Sequence, residues 1–280
     1  MISVLVANYN NSKFLVDCIA SIYNQLIQSF EIEVVVCDDF SADDSLIILR
    51  GLQSVHGFQL LTNNSNIGVG ATKWRLVEAS KGEWLIFLDS DDKLELNCLQ
   101  KLHDCIGQHA AESLSMVYAN SRQIMHSGDC KEWNRSKPFY GSLLESKFEY
   151  PIFHPIIYNR NKYLLTKGID INLRSADDYD LWYKMEEVGK VLFLNECLYQ
   201  YRINLNGVSQ VGDDLNKWLQ VMLEHSWCSA NAASRRGLNV RKELNEFAEI
   251  ISNRMINTNK RGSNFSIFKS RIRGLFRFYY

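Results

Sequence analysis

The sequence predicts an α/β protein: an open, mostly parallel sheet with helices on both faces, followed by a helical C-terminal extension. Three observations carry this. Through the first half, short β-branched runs alternate with segments of helical apolar spacing. The connections between them are short, which forces parallel pairing through right-handed crossovers. From about residue 213 onward the spacing is mainly helical.

Taken in order, Ile2–Ala7 is an apolar run suited to a strand buried on both faces. After Asn10-Asn11-Ser12, the residues Phe14, Leu15, Cys18, Ile19 and Ile22 recur at helical spacing, with Asn11 or Ser12 as the expected cap. A second buried strand, Ile32–Cys37, ends in the polar turn Asp38–Ser45, which opens a helix carrying Leu46, Ile47 and Leu49. A third strand around Phe58–Leu61 leads through Asn63-Asn64-Ser65-Asn66 into a helix near 69–80. The fourth, Trp84–Leu88, runs straight into Asp89-Ser90-Asp91-Asp92 and then an amphipathic helix with Leu96, Leu99, Leu102 and Cys105 on its apolar face. Beyond it, Ser115–Met125 reads as a strand and Phe139–Pro155 as an irregular aromatic stretch. Residues 178–188 read as a helix, and Val191–Leu194 and Leu198–Arg202 as two strands. Helices are expected through Trp218–Trp227 and 240–256. No internal repeat and no low-complexity segment interrupts this order.

Composition bounds what such a chain can be. With 280 residues, 46% hydrophobic and 22% charged, and only 3 prolines, it is an ordinary globular sequence, which excludes disorder and a disulfide-dense mini-protein. A net charge of −1 gives no reason to expect a nucleic-acid partner. The charge is uneven, however. Residues 251–280 hold seven basic side chains and no acidic one, leaving the first 250 with 24 basic against 32 acidic, a net of −8. The seven cysteines form no Cys-x-x-Cys pair and sit mostly among apolar neighbours, so they read as small buried hydrophobes. With no signal peptide and no apolar run near the ~20 residues that span a bilayer, a cytoplasmic protein is expected.

In a sheet of this kind, ligands bind outside the carboxyl ends of the strands. The polar clusters fall there: Asn8-Tyr9-Asn10 after the first strand, Asp38-Asp39 after the second, Asp89–Asp92 after the fourth. Three carboxylates within four residues repel one another unless a cation or donors compensate. Hard carboxylate oxygens suit Mg²⁺ or Mn²⁺, ions that use one or two side chains plus substrate phosphates. The same turn reads equally as a solvated cap on the next helix. Asp39, held at a strand terminus, can accept from a nucleobase ring N–H, whereas Asp43 and Asp44 fit a helix first turn. Lys73, on the helix after Asn66-Ile67-Gly68, can meet phosphates as a point charge or simply decorate the surface. In Ser175-Ala176-Asp177-Asp178-Tyr179-Asp180-Leu181-Trp182, one carboxylate beside apolar groups can act as general base toward a hydroxyl, or the run is a capped helix start.

Together these segments resemble the inverting nucleotide-sugar glycosyltransferases of the large family 2 class, which have the Rossmann-like GT-A fold. Val4-Leu5-Val6-Ala7-Asn8-Tyr9-Asn10 is similar to the family's first strand, and Asp38-Asp39-Phe40-Ser41-Ala42-Asp43 to its Asp-Asp-x-Ser-x-Asp. Asn66-Ile67-Gly68 with Lys73, then Lys81-Gly82-Glu83-Trp84, resembles the approach to the metal motif, where Asp89-Ser90-Asp91-Asp92 stands at the Asp-x-Asp. Asp177–Trp182 looks like the Glu-Asp segment that supplies the base, His154-Pro155 like the stretch before it, and Tyr201-Arg202 through Ser209 like the closing element. Six segments in register over residues 1–210 are specific where one alone is weak.

The resemblance implies a nucleotide-diphosphate-sugar donor, with uridine favoured and thymidine or guanosine as alternatives. It assigns Ala7, Tyr9 and Asp39 to the base, Lys73 to the phosphates, Asp89 and Ser90 to the ribose and metal region, and Asp91 with Asp89 to Mn²⁺ or Mg²⁺. Asp178 becomes the catalytic base, and Asp177, His154 and Trp182 the acceptor side. It divides the chain into a transferase domain over 1–210 (donor half 1–110, acceptor half 111–210) and an extension over 211–280. Three departures from the pattern stand out: Lys73 where arginine is common, Asp177 in place of glutamate, and Asn204 where many members have a histidine. No third protein ligand for the metal is therefore assigned.

The implied activity is transfer of the sugar to a glycan or lipid-linked acceptor in cell-surface polysaccharide synthesis. Residues 260–280 interleave basic and aromatic side chains and suit an anionic membrane surface, which places the protein peripherally at the inner face of the membrane. Rival readings are a non-catalytic nucleotide-sugar-binding protein and a haloacid-dehalogenase-like phosphatase. In the latter, the Asp-x-Asp lies near the N-terminus and not at residue 89. A sugar-phosphate nucleotidyltransferase needs a glycine-rich loop after its first strand, and Ala7–Asn11 contains no glycine.

Overall fold

The computed structural model describes residues 1–109, 111–125, 129–146, 151–173, 175–204 and 215–257. The chain runs β1 (Ile2–Asn8), α1 (Leu15–Tyr23), β2 (Ile32–Asp38), α2 (Ser45–His56), β3 (Gln59–Thr62), α3 (Val69–Ala79), β4 (Trp84–Asp89), β5 (Lys93–Leu94) and α4 (Cys98–Gly107). It continues through β6 (Leu114–Ile124), β7 (Cys130–Trp133), α5 (Leu143–Ser146), β8 (Ile156–Asn159), α6 (Arg160–Leu165), α7 (Asp177–Val188), β9 (Lys190–Arg202), α8 (Leu215–Arg235) and α9 (Val240–Asn257).

One sheet of nine strands among the described residues has the order β3-β2-β1-β4-β8-β6-β9-β5, with β7 beside β6. Its first half is parallel, as the alternation of strands and helices requires. The second half departs from the mostly parallel sheet expected: β8 is antiparallel to both β4 and β6, and β5 is antiparallel to β9. Two reversals across β8 bring β6 back to the direction of β4. The carboxyl ends of β1, β2, β4 and β6 therefore share one edge with the start of β8.

Period-two alternation sorts each central strand between two cores. Val4, Val6, Val36, Ile86 and Leu88 face one cluster with α1, α2 and α4. Leu5, Val35, Cys37, Leu85 and Phe87 face another with α3, α7 and α8. The strands read as continuous apolar runs because both faces are covered.

Several local expectations change. Phe14 precedes α1 and no side chain caps it; Asn11 is drawn instead to Ser90, and the Ser12 N–H donates to Asp43. Asp43 and Asp44 lie ahead of α2, and Asp43 also accepts from the Ser45 N–H. Leu96 is exposed and precedes α4, whose buried face is Leu99, Leu102, Cys105 and Ile106. The two strands expected within 190–202 are one long strand, kinked by register shifts opposite Ala119–Ser121. Five cysteines are buried as read, whereas Cys130 is exposed and Cys197 half-buried.

The extension is not a separate body. Cys228, Ala232 and Ala233 of α8 belong to the second core, and Arg235 and Arg236 pair with Glu187 and Glu186 of α7. No helix among the described residues is long and apolar enough to cross a membrane. Ser209 and residues 260–280, the basic-aromatic segment, lie outside the described residues.

Candidate active site

The site is built where β1, β2 and β4 end side by side, Asn8 opposite Asp38 and Ala7 opposite Asp89. Asp38 is a fastener: its carboxylate accepts from Asn8 Nδ2 (2.7 Å) and Ser41 Oγ (2.6 Å), tying the first two loops together. The next residues, Tyr9 and Phe40, project from those loops as exposed aromatics, and Phe40 holds a left-handed backbone (φ 62°) that costs a bulky residue energy. Ala7 beside them is half-buried.

Asp39 is buried, and its carboxylate accepts from Asn63 Nδ2 (2.6 Å), the Ile67 N–H (2.9 Å) and the Gly68 N–H (2.9 Å). It thus holds the loop that launches α3. Among the described residues Oδ2 takes the Gly68 bond, which leaves it a lone pair for a further donor. Asn63, which the sequence marks only as part of the polar segment after the third strand, is one of the partners that fix Asp39; its position just after a strand end is the available signal.

The acidic turn after β4 is closed by a hydrogen bond from the Asp92 N–H to the Asp89 carbonyl. Each of its residues has a distinct tie. Ser90 Oγ accepts from Asn11 Nδ2 (2.9 Å). Asp91 Oδ2 accepts from Asn204 Nδ2 (2.8 Å), and Asn204 also donates to Asn11 Oδ1 (3.2 Å). Asp92 is buried and accepts from the Arg202 N–H (2.7 Å), so it anchors the end of β9. The Tyr199 hydroxyl lies 3.3 Å from the Asp89 N–H. Burial first, and then the charge of Asp89, push the Asp91 carboxyl above its ordinary range; Asn204 and Arg202 offset this only partly.

Among the described residues, no group of three or more His, Cys, Asp or Glu side chains is arranged to hold a metal. The donor set nonetheless fits one. Asp89 and Asp91 present hard oxygens, and a carboxyl whose charged form is disfavoured by burial and a like neighbour gains from a cation. The residue at 204 faces Asp91, as the sequence pattern implied, but brings an amide.

The second half of the site forms at the start of α7. Lys73 is buried, not the surface residue its lone position suggests. Its Nζ donates to Asp177 Oδ2 (3.0 Å) and Asp178 Oδ1 (3.1 Å), and lies 5.7 Å from the Phe87 ring centre. His154 Nε2 is 3.7 Å from Asp178 Oδ2, and its ring stacks on Tyr199. Burial works to raise the Asp178 carboxyl, but the Lys73 ammonium and His154 override it and hold it far below the usual carboxylate range. Burial likewise works to lower the Lys73 ammonium, and Asp177, Asp178 and Asp89 together push it up.

Two residues expected on the acceptor side, Trp182 and Asp177, are packed inward. Trp182 is a core residue whose Nε1 donates to the Tyr158 hydroxyl (3.1 Å), so it supports α7 from beneath. Asp177 is buried on Lys73 and does not face outward. Asp178 remains partly open, its side chain 24% exposed.

Comparison with known proteins gives this arrangement a family. Residues 3–165 match the model of Glycosyl transferase family 2. The chain is similar to chondroitin synthase of Escherichia coli, 30% identical over 201 residues, covering 71% of this chain and 28% of that one. It is similar to the poly(ribitol-phosphate) beta-N-acetylglucosaminyltransferase TarS of Staphylococcus aureus (strain MW2), 28% identical over 215 residues, covering 73% of this chain and 36% of that one. The chain thus spans about a third or less of the length of these two relatives. In three dimensions it resembles S. aureus TarS 1-349 solved with UDP-GlcNAc, with a TM-score of 0.68, 21% identity, and 91% of this chain and 72% of that one covered. That likeness shows the fold, GT-A. With the family matched over more than half its length, the chain belongs to glycosyl transferase family 2.

Proposed function

We propose that the protein is an inverting, metal-dependent glycosyltransferase that moves a sugar from a nucleotide-diphosphate sugar, uridine-based by preference, to a hydroxyl of a glycan or lipid-linked acceptor. The observation that carries this is that the acidic turn after β4, with Asp89 and Asp91, stands near Asp178 at the start of α7, since the charges of Asp89 and Asp178 both act on Lys73 and His154. Chondroitin synthase and TarS act in bacterial polysaccharide building by their names, which supports a role in cell-surface polysaccharide synthesis.

Asp39, Tyr9 and the Ala7 backbone are assigned to the base, and Asp89 and Ser90 to the ribose. Asp91 with Asp89 would hold Mn²⁺ or Mg²⁺, which when bound neutralises charge on the diphosphate. Asp178 accepts the proton of the acceptor hydroxyl as that oxygen bonds to the anomeric carbon. The bond from that carbon to the diphosphate oxygen breaks on the opposite face, and the configuration inverts. His154, beside Asp178, orients the carboxylate.

Calorimetry with uridine, thymidine and guanosine diphosphates, with and without Mn²⁺, tests the donor site. Wild type is expected to bind one of them in a metal-dependent way, and Asp91→Ala to lose that dependence; no binding to any overturns the reading. Asp178→Asn is expected to cut turnover of the donor by about 10²–10⁴-fold with nucleotide affinity kept. Residues 260–280 are assigned to an anionic membrane surface; their deletion should abolish sedimentation with phosphatidylglycerol vesicles, and unchanged sedimentation refutes the assignment.

A further inference from the structure

Lys73 and Asp177 come from α3 and α7, 104 residues apart, yet each is almost fully buried against the other. One ammonium serves two carboxylates, at 3.0 Å and 3.1 Å. We propose that Asp177 is a positioning residue that acts through Lys73: it keeps a partner on the buried ammonium when Asp178 takes up its proton. The proposal rests on Asp178 being the base.

Charge counting gives the reason. Before reaction the trio carries one positive and two negative charges, a net of −1. When the acceptor's proton moves to Asp178 Oδ, the trio becomes neutral and the Lys73–Asp177 pair is left intact. Without Asp177 the same step would begin neutral and end as an unpaired ammonium in a desolvated site, which is costly. Asp177 also offsets the grip of Lys73 on Asp178, since a like charge nearby favours protonation. The other groups facing this trio do not supply that function. His154, from the segment before β8, adds positive charge when protonated. The Tyr158 hydroxyl on β8 and the Tyr179 hydroxyl on α7 are neutral, because burial pushes their pKa up and disfavours ionisation. Asp89, at the end of β4, acts on Lys73 through its charge, with no hydrogen bond to it among those found. The two departures from the family pattern noted in the sequence, lysine for arginine and aspartate for glutamate, are therefore in direct contact.

The test is release of UDP from whichever of UDP-glucose, UDP-N-acetylglucosamine and UDP-glucuronate the wild type turns over fastest, with donor affinity measured in parallel. Asp177→Asn is expected to lower kcat at least tenfold while donor Kd changes less than about threefold. Lys73→Met leaves two carboxylates to repel each other, so an acid limb should rise into the pH–rate profile; adding Asp177→Asn should move that limb back toward lower pH. The double variant should also recover at least part of the kcat lost in Asp177→Asn, because the unpaired ammonium is gone. A double variant no better than Asp177→Asn, or an Asp177→Asn defect confined to Kd, overturns the proposal. Asp178→Asn separates the two readings: if it keeps wild-type turnover, or if wild type releases UDP from none of the donors, the base assignment fails and the proposal falls with it.

Discussion

At the scale of single residues, buried polar groups shape the loops around the candidate site. Asp38, Asp39 and Asp92 are all buried acids, and each accepts hydrogen bonds from backbone or side-chain donors that shape loops. Asp91 and Asp178 remain half-buried. Sequence spacing showed where the acids cluster; it did not separate fasteners from reactive groups, because that depends on donors arriving from loops distant in sequence. A buried residue outside the site gives a test of the same physics. His225 on α8 packs against the Tyr179 ring, and burial pushes its imidazole down to about 3 from 6.5. The folded state refuses a proton that the unfolded chain accepts, so stability present above about pH 6.5 is lost as pH falls toward 3. His225→Phe should flatten that loss. Denaturant unfolding at pH 7 and pH 4.5 should show wild type losing about 2 kcal/mol more than the variant between the two.

At the scale of elements, close approaches set the register that brings strand ends together. Gly82 sits where α3 turns into β4, and its N–H donates to Ser3 Oγ (2.8 Å) at the start of β1. A Cβ there would meet the Ser3 backbone nitrogen at 2.6 Å, which only a backbone shift relieves. Gly82→Ala should therefore cost about 1–3 kcal/mol in denaturant unfolding and weaken nucleotide binding, because the carboxyl ends of the adjacent strands β1 and β4 carry residues of the proposed donor site. An unchanged unfolding midpoint would show that the strands slide without cost. The sequence showed these elements well where apolar runs are bounded by polar clusters, as at Ile32–Asp38. It split β9 in two, since Asn195 and Glu196 interrupt the apolar pattern while the backbone continues through a bulged pairing with β6.

At the scale of the whole molecule, the helical extension packs against the half that carries Asp178. The backbone N–H and hydroxyl of Ser175 both donate to Glu224 of α8 (2.8 Å each), just ahead of the helix that presents Asp177 and Asp178. Arg236 bridges Glu186 and Glu187 of the same helix. A chain ending at residue 210 would expose the apolar face of α7 now covered by Cys228, Ala232 and Ala233. Such a chain is expected to lose cooperative thermal unfolding and donor turnover together. A truncated chain that unfolds sharply and turns over donor would show that the transferase unit ends where its motifs end.

Taken alone, the sequence determined the parallel half of the sheet, the acidic clusters at its strand ends and the family, because these follow from short-range periodicity and from motifs in fixed order. Only the tertiary structure decided that Lys73 faces Asp177 and Asp178, that Asn204 meets Asp91, and that Trp182 lies in the core. Those facts rest on contacts between residues more than a hundred positions apart or on which way a helix turns its face. Such contacts arise from packing the sheet against its helices, and no local spacing encodes them.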